Sequence, residues 1–92
     1  AQAQLTVSQA FTNNPDRIFW ILVNLSAFDV YAGFDNQTSS TRGLRLGSAG
    51  GFASMSALED GEAVTYELFV IATGANAPIY CVEMERSTAQ VI

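Results

Sequence analysis

Ninety-two residues suffice for one hydrophobic core and no second, and 49% hydrophobic against 14% charged residues leaves an apolar excess that is expected to lie against a neighbour. The net charge is −5, and the four cations are all arginines, of which only Arg42 and Arg45 are close together, so a phosphate-binding nucleic-acid surface is not expected. Without histidine or lysine the chain has no imidazole base, no histidine metal ligand, no P-loop amine and no Schiff-base amine, which closes most enzyme plans.

The start, "AQAQLTVSQ", lacks the basic and apolar regions of a signal peptide and reads as a mature terminus left by removal of an initiator Met. In "LTVSQAF", Leu5 and Val7 share one strand face with Phe11 in phase, and Asn13-Asn14-Pro15-Asp16 then breaks the pattern. "RIFWILVNL" is a continuous apolar run, as expected of a strand covered on both faces, and is far shorter than the roughly 18–20 residues that cross a bilayer. "FDVYAGF" alternates Phe28, Val30, Ala32 and Phe34 against Asp29, Tyr31 and Gly33. Gly33 permits a close approach or a bulge, residues 35–41 form an exposed polar connection, and "GLRL" restarts the apolar pattern at Gly43.

After the glycine-rich turn "LGSAGG" comes "GFASMSAL", with Phe52, Ser54 and Ser56 opposing Ala53, Met55 and Ala57. A turn at Glu59-Asp60-Gly61-Glu62 leads to "AVTYELFVIAT", which sets Val64, Tyr66, Leu68, Val70 and Ala72 on one face and Thr65, Glu67, Phe69 and Ile71 on the other. "PIYCVEME" closes the set with Tyr80, Val82 and Met84 against Ile79, Cys81, Glu83 and Glu85, and by this phase Tyr66 and Tyr80 count with the core. No window keeps a helical period. Residues 1–92 are therefore expected to form one all-β domain, a small β-sandwich or antiparallel barrel of seven to eight strands, with 1–12 as an N-terminal strand or arm and 18–86 as the main sandwich. Only one face of each sheet can meet so small a core. The leftover apolar residues, Phe19 or Trp20 together with Phe69 and Ile71, are the expected interface with another subunit unless they pack under a loop.

The remaining chemistry is thin. Glu83 and Glu85 share a strand face about 7 Å apart, a separation that suits two-carboxylate glycoside hydrolysis, but the simpler reading is solvated charge protecting an edge strand. "LEDGEAV" could gather carboxylates around a hard cation, yet it lacks EF-hand spacing and reads as an acidic hairpin turn. The glycines of "LGSAGGF" match no phosphate-loop pattern. Cys81 is single, so no intramolecular disulfide is possible, and its apolar strand marks it as inert. Asn24-Leu25-Ser26 and Asn36-Gln37-Thr38 have the glycosylation pattern, but nothing else in the chain supports a secretory route. No catalytic residue, cofactor or metal is expected.

The ordered succession "VNLSAFDVYAGFD", "SSTRGLRL", "YELFVIATGANA" and "IYCVEME" resembles small all-β virion proteins of tailed bacteriophages, of the head-decoration, head-fibre or capsid-associated kind. The resemblance covers residues 18–86 and rests on strand and turn preferences, with no catalytic motif. It implies a structural role in the virion, made in the host cytoplasm and attached to the major capsid protein or another virion protein. It also implies trimers or other closed homo-oligomers, with no nucleic acid or membrane as partner. The alternative is a carbohydrate-binding or adhesin-like β-sandwich module, using Trp20 with Tyr31, Tyr66 or Tyr80 as a stacking platform.

Overall fold

The computed structural model describes residues 2–85 and, as backbone, 89–91; Ala1 and Arg86 lie outside the described residues. The elements are β1 (Gln2–Ala3), β2 (Ser8–Phe11), β3 (Arg17–Asn24), β4 (Val30–Gly33), β5 (Leu44–Leu46) and β6 (Phe52–Ser56). One helical turn α1 (Ala57–Asp60) and a 3-10 segment (Gly61–Thr65) follow, then β7 (Leu68–Ala72), β8 (Ala77–Glu85) and β9 (Ala89–Val91). The first sheet runs β1-β8-β3-β6; β9 shares with β1 the same edge of β8, β1 opposite Ala77 and Pro78, β9 opposite Val82 to Met84. The second runs β2-β7-β4-β5. All pairs are antiparallel and both sheets are open, so the fold is a small β-sandwich and not a barrel.

Side-chain alternation decides what each sheet buries. Trp20 and Leu22 of β3, with Ala77, Ile79 and Cys81 of β8, face Phe11, Val30, Ala32, Leu46, Leu68, Val70 and Ala72 from the second sheet. At the start of β3 the pairing slips between Arg17 and Phe19, so Ile18 is an extra residue opposite β8. That bulge turns Arg17 to the core side, where a strict period of two would have set it beside Phe19 on the outer face.

Several expectations are corrected. The strand through Leu5 and Val7 is split into β1 and β2, which belong to different sheets, and Leu5 is exposed as the chain crosses between them. The run from Val64 to Ala72 is a strand only from Leu68. The acidic connection is not a hairpin turn but α1 and the 3-10 segment: Ser56 Oγ accepts from Glu59 N–H at 3.3 Å, and Asp60 Oδ2 accepts from Ser56 N–H at 2.9 Å. This is the reciprocal bonding of a capping box, foreshadowed by "SALE" and built here with Asp60 as the returning acid. Tyr66 and Tyr80 are exposed: Tyr66 caps the 3-10 segment before β7 begins, and Tyr80 is out of phase because Ile79, Cys81 and Glu83 take the inward positions of β8. Nor is β3 covered on both faces, since Phe19, Ile21 and Val23 look outward.

The end of the sandwich near Asn24 is held by polar bonds. Asn24 Nδ2 donates to the carbonyls of Phe28, Leu46 and Gly47, and Asn24 Oδ1 accepts from Ser26 N–H and Oγ–H. Asn24 and Ser26 of that triplet are therefore structural and buried, while Leu25 between them is exposed. Gly50 N–H donates to Asn24 O at 2.7 Å while Asn24 N–H donates to Gly51 O at 2.8 Å, two residues against one. That is a G1 bulge, and it needs the positive φ of 119° at Gly50, while a Cβ on Gly51 would collide with the backbone of Gly47.

Candidate interaction surface

The outer face of the first sheet is a grid of three cross-strand rows. Phe52, Val23 and Tyr80 make the first, Ser54, Ile21 and Val82 the second, and Ser56, Phe19 and Met84 the third. By register, β9 continues the second row at Val91 and the third at Ala89. None of the three rows carries a charge. The central column of Phe19, Ile21 and Val23 is half-buried by its neighbours, while Phe52, Tyr80 and Met84 stand 64%, 46% and 42% exposed. The grid exists because β3 and β8, both rich in apolar residues at alternate positions, lie side by side, with β6 giving small serines as a rim.

The sequence-based interface set is divided by this geometry. Phe19 belongs to the grid. Trp20 is corrected to the core: it is 2% exposed, 5.5 Å from the Phe11 ring, and its indole N–H has no hydrogen-bond partner among the described residues. Phe69 and Ile71 lie on the opposite side of the sandwich, on the outer face of the second sheet beside Tyr31. There they are bordered by charge, with Arg45 3.2 Å from Asp29 and Gln9 donating to Glu67 at 3.0 Å. Ile21, Val23, Phe52, Tyr80, Val82 and Met84 were missed as surface residues, since pattern alone does not say which apolar phase of a strand faces out.

The titratable groups inside the fold are structural. Glu83 is buried, and its Oε2 accepts from Arg17 Nε at 2.7 Å. The other guanidinium donors reach the carbonyls of Val64 and Tyr66 through Nη1 and of Thr12 through Nη2, and the group lies 5.0 Å over the Phe11 ring. Arg17 thus ties β3 to β8, to the 3-10 segment and to the loop after β2, which leaves Glu83 as its counterion and not an acid in a cleft. The edge-strand reading of Glu83 and Glu85 is overturned, because β8 lies between β3 and the β1–β9 edge. Glu85 accepts from Asn14 Nδ2 at 2.9 Å. Burial pushes the Cys81 thiol up to about 11. Among the described residues no group of three acidic, Cys or His side chains is placed to hold a metal ion.

The polar connection between β4 and β5 satisfies itself. Arg42 pairs with Asp35 at 2.9 Å, Ser39 and Arg42 exchange backbone bonds, and Thr38 Oγ1 donates to Asp35 O at 2.7 Å. Thr38 lies buried over Gly33, where a Cβ would collide with its hydroxyl, so Gly33 is there for close approach. The aromatics proposed as a sugar platform do not converge, since Trp20 is internal and Tyr31 and Tyr80 sit on opposite outer faces. Tyr66 instead meets Phe34 edge-on, at 6.2 Å and 89°. No protein-family model, curated protein or solved structure matches this chain.

Proposed function

We propose that the chain is a structural virion protein that attaches to the capsid of a tailed phage through the outer face of β6, β3 and β8 and displays its polar loops away from it. The observation that carries this reading is the uncharged apolar grid around Ile21, on a chain whose net charge is −5. The phage assignment itself rests on the sequence resemblance. Its partners are the major capsid protein or another virion protein and further copies of itself, in a closed oligomer as the resemblance implies.

Energetics favour a many-copy role. Completing the burial of Phe52, Tyr80 and Met84 yields about 1–2 kcal/mol each, against an association cost of about 4–15 kcal/mol. One copy binds weakly through this face, whereas several copies held in one oligomer on a repeating lattice gain avidity. Cosedimentation of the purified chain with phage particles tests the reading. Tyr80→Asp is expected to weaken binding about tenfold or more, as a charge placed in an apolar contact does, while Tyr31→Asp on the opposite face leaves it unchanged. Absence of wild-type binding, or equal loss from both variants, overturns it. The exposed Phe34–Tyr66 pair is the one feature that favours the carbohydrate-binding alternative, and specific glycan capture lost on Tyr66→Ala would establish that instead.

A further inference from the structure

The free edge of β6 carries an inference that goes beyond the virion reading and does not depend on it. The G1 bulge makes Asn24 and Gly51 a hydrogen-bonded pair, and the ladder from Phe52 to Ser56 then runs without a register shift. Antiparallel alternation therefore turns the backbone groups of Ala53 and Met55 toward β3 and those of Phe52, Ser54 and Ser56 toward the open side. The Asp60 carboxylate on Ser56 N–H agrees with this assignment and closes that end of the edge. The N–H and C=O groups of Phe52 and Ser54 are left facing outward, with no partner among the described residues.

Exposed edges are ordinarily blunted by charge, proline, a bulge or brevity. The other edges have such devices. The β2 strand carries a bulge between Gln9 and Phe11, β5 is three residues long with exposed Arg45, and β1 and β9 are two and three residues long. "FASMS" has neither charge nor proline, and its own bulge precedes it.

We infer that β6 pairs antiparallel with β6 of a second copy about a two-fold axis at Ala53, joining the two first sheets into one. Phe52 then lies opposite Ser54 of the second copy, and Ser54 opposite its Phe52, so all four open groups on each chain are used in four interchain hydrogen bonds. The capping bond on Ser56 stays intact, and this selects Ala53 as the axis: an axis at Ser54 would set the Ser56 amide, already held by Asp60, against Phe52 of the second copy. The two Phe52 rings become diagonal neighbours across the axis, within reach of each other on the shared outer face.

Charge agrees with the orientation. Glu59, Asp60 and Glu62 follow β6, and the turn before it, residues 47–51, is uncharged. Antiparallel pairing sets the two starts of α1 about 26 Å apart by strand geometry, beyond the roughly 8 Å over which such charges act in physiological salt. Parallel pairing would place the acids side by side. The two apolar grids then lie on one side of a continuous sheet.

Size-exclusion chromatography with light scattering on the full chain tests this. Four hydrogen bonds and one aromatic contact make a small interface, so the mass is expected to rise from 9.9 kDa toward twice that as concentration approaches about 1 mM. Ser54→Pro removes an outward N–H and leaves the ladder to β3 unbroken, and Phe52→Glu sets two carboxylates against each other at an exposed site. Each is expected to weaken association about tenfold or more while thermal unfolding shows the fold retained. A wild-type monomer throughout, or a dimer or trimer that both folded variants leave unchanged, overturns the inference. Particle attachment is judged separately by the sedimentation assay.

Discussion

Arg17 is the residue on which the interior turns. Its guanidinium is fully removed from water, and its ion pair with Glu83 is acceptable there only because the remaining donors also find acceptors. Arg17→Met is expected to cost about 3–5 kcal/mol in urea unfolding, because it leaves Glu83 buried and uncompensated, and Arg17→Met with Glu83→Leu is expected to recover much of that loss. Cys81 contributes a pH dependence of definite sign. Its thiol titrates near 9.0 when unfolded and at about 11 when folded, so above pH 9 the unfolded chain sheds a proton that the folded chain keeps. Stability should fall between pH 9 and 11, by up to about 1.4 kcal/mol per pH unit, and Cys81→Ala should flatten that slope in urea titrations at successive pH values. The indole N–H of Trp20, without a partner among the described residues, is a further cost of order 1–3 kcal/mol that the burial of its ring outweighs.

At the scale of elements, the two sheets are joined by side chains as much as by apolar contact. Asn24, the last residue of β3, reaches Leu46 at the end of β5 and Phe28 before β4, and so links the sheets at the end where β6 begins. Asn24→Ala takes one donor from each of three buried or half-buried carbonyls and is expected to destabilise the fold by about 2–4 kcal/mol in urea or thermal melts. Ser26→Ala, which removes only the hydroxyl bonded to Asn24 Oδ1 and Phe28 O, should cost less. The helical turn after β6 owes its place to the Ser56–Asp60 cap, and the same cap fixes which backbone groups of β6 remain open.

For the whole molecule, the distribution of charge matters more than its sum. The outer face of the second sheet carries the Arg45–Asp29 and Gln9–Glu67 contacts, while the grid on the first sheet carries none. Attachment through the grid should therefore change little between low and high salt in the sedimentation assay, whereas attachment through the second sheet should weaken as its charges are screened. An open sandwich with one such face and one unprotected edge suits an assembly in which edges join copies and faces meet a lattice.

Period-two alternation and turn residues recurring from Leu5 to Glu85 made a small all-β domain legible in the sequence, with sandwich and barrel both open until the two sheets proved unclosed. The sequence also offered a close approach or a bulge at Gly33, of which the structure shows the close approach, and it marked residues 35–41 as a connection and Cys81 as inert. Which phase of β3 and of β8 faces inward was not legible, because Phe19 and Trp20, or Tyr80 and Ile79, are both apolar and alternation is blind to the choice. The bulge at Ile18 turned Arg17 inward, and pairing with distant Glu83 made that position tolerable. The capping signal in "SALE" was readable in principle but masked by strand-like neighbours. Only the tertiary structure could put Phe52, Ile21 and Tyr80 in one row, because β6, β3 and β8 meet through non-local pairing and the core first claims the opposite face of each.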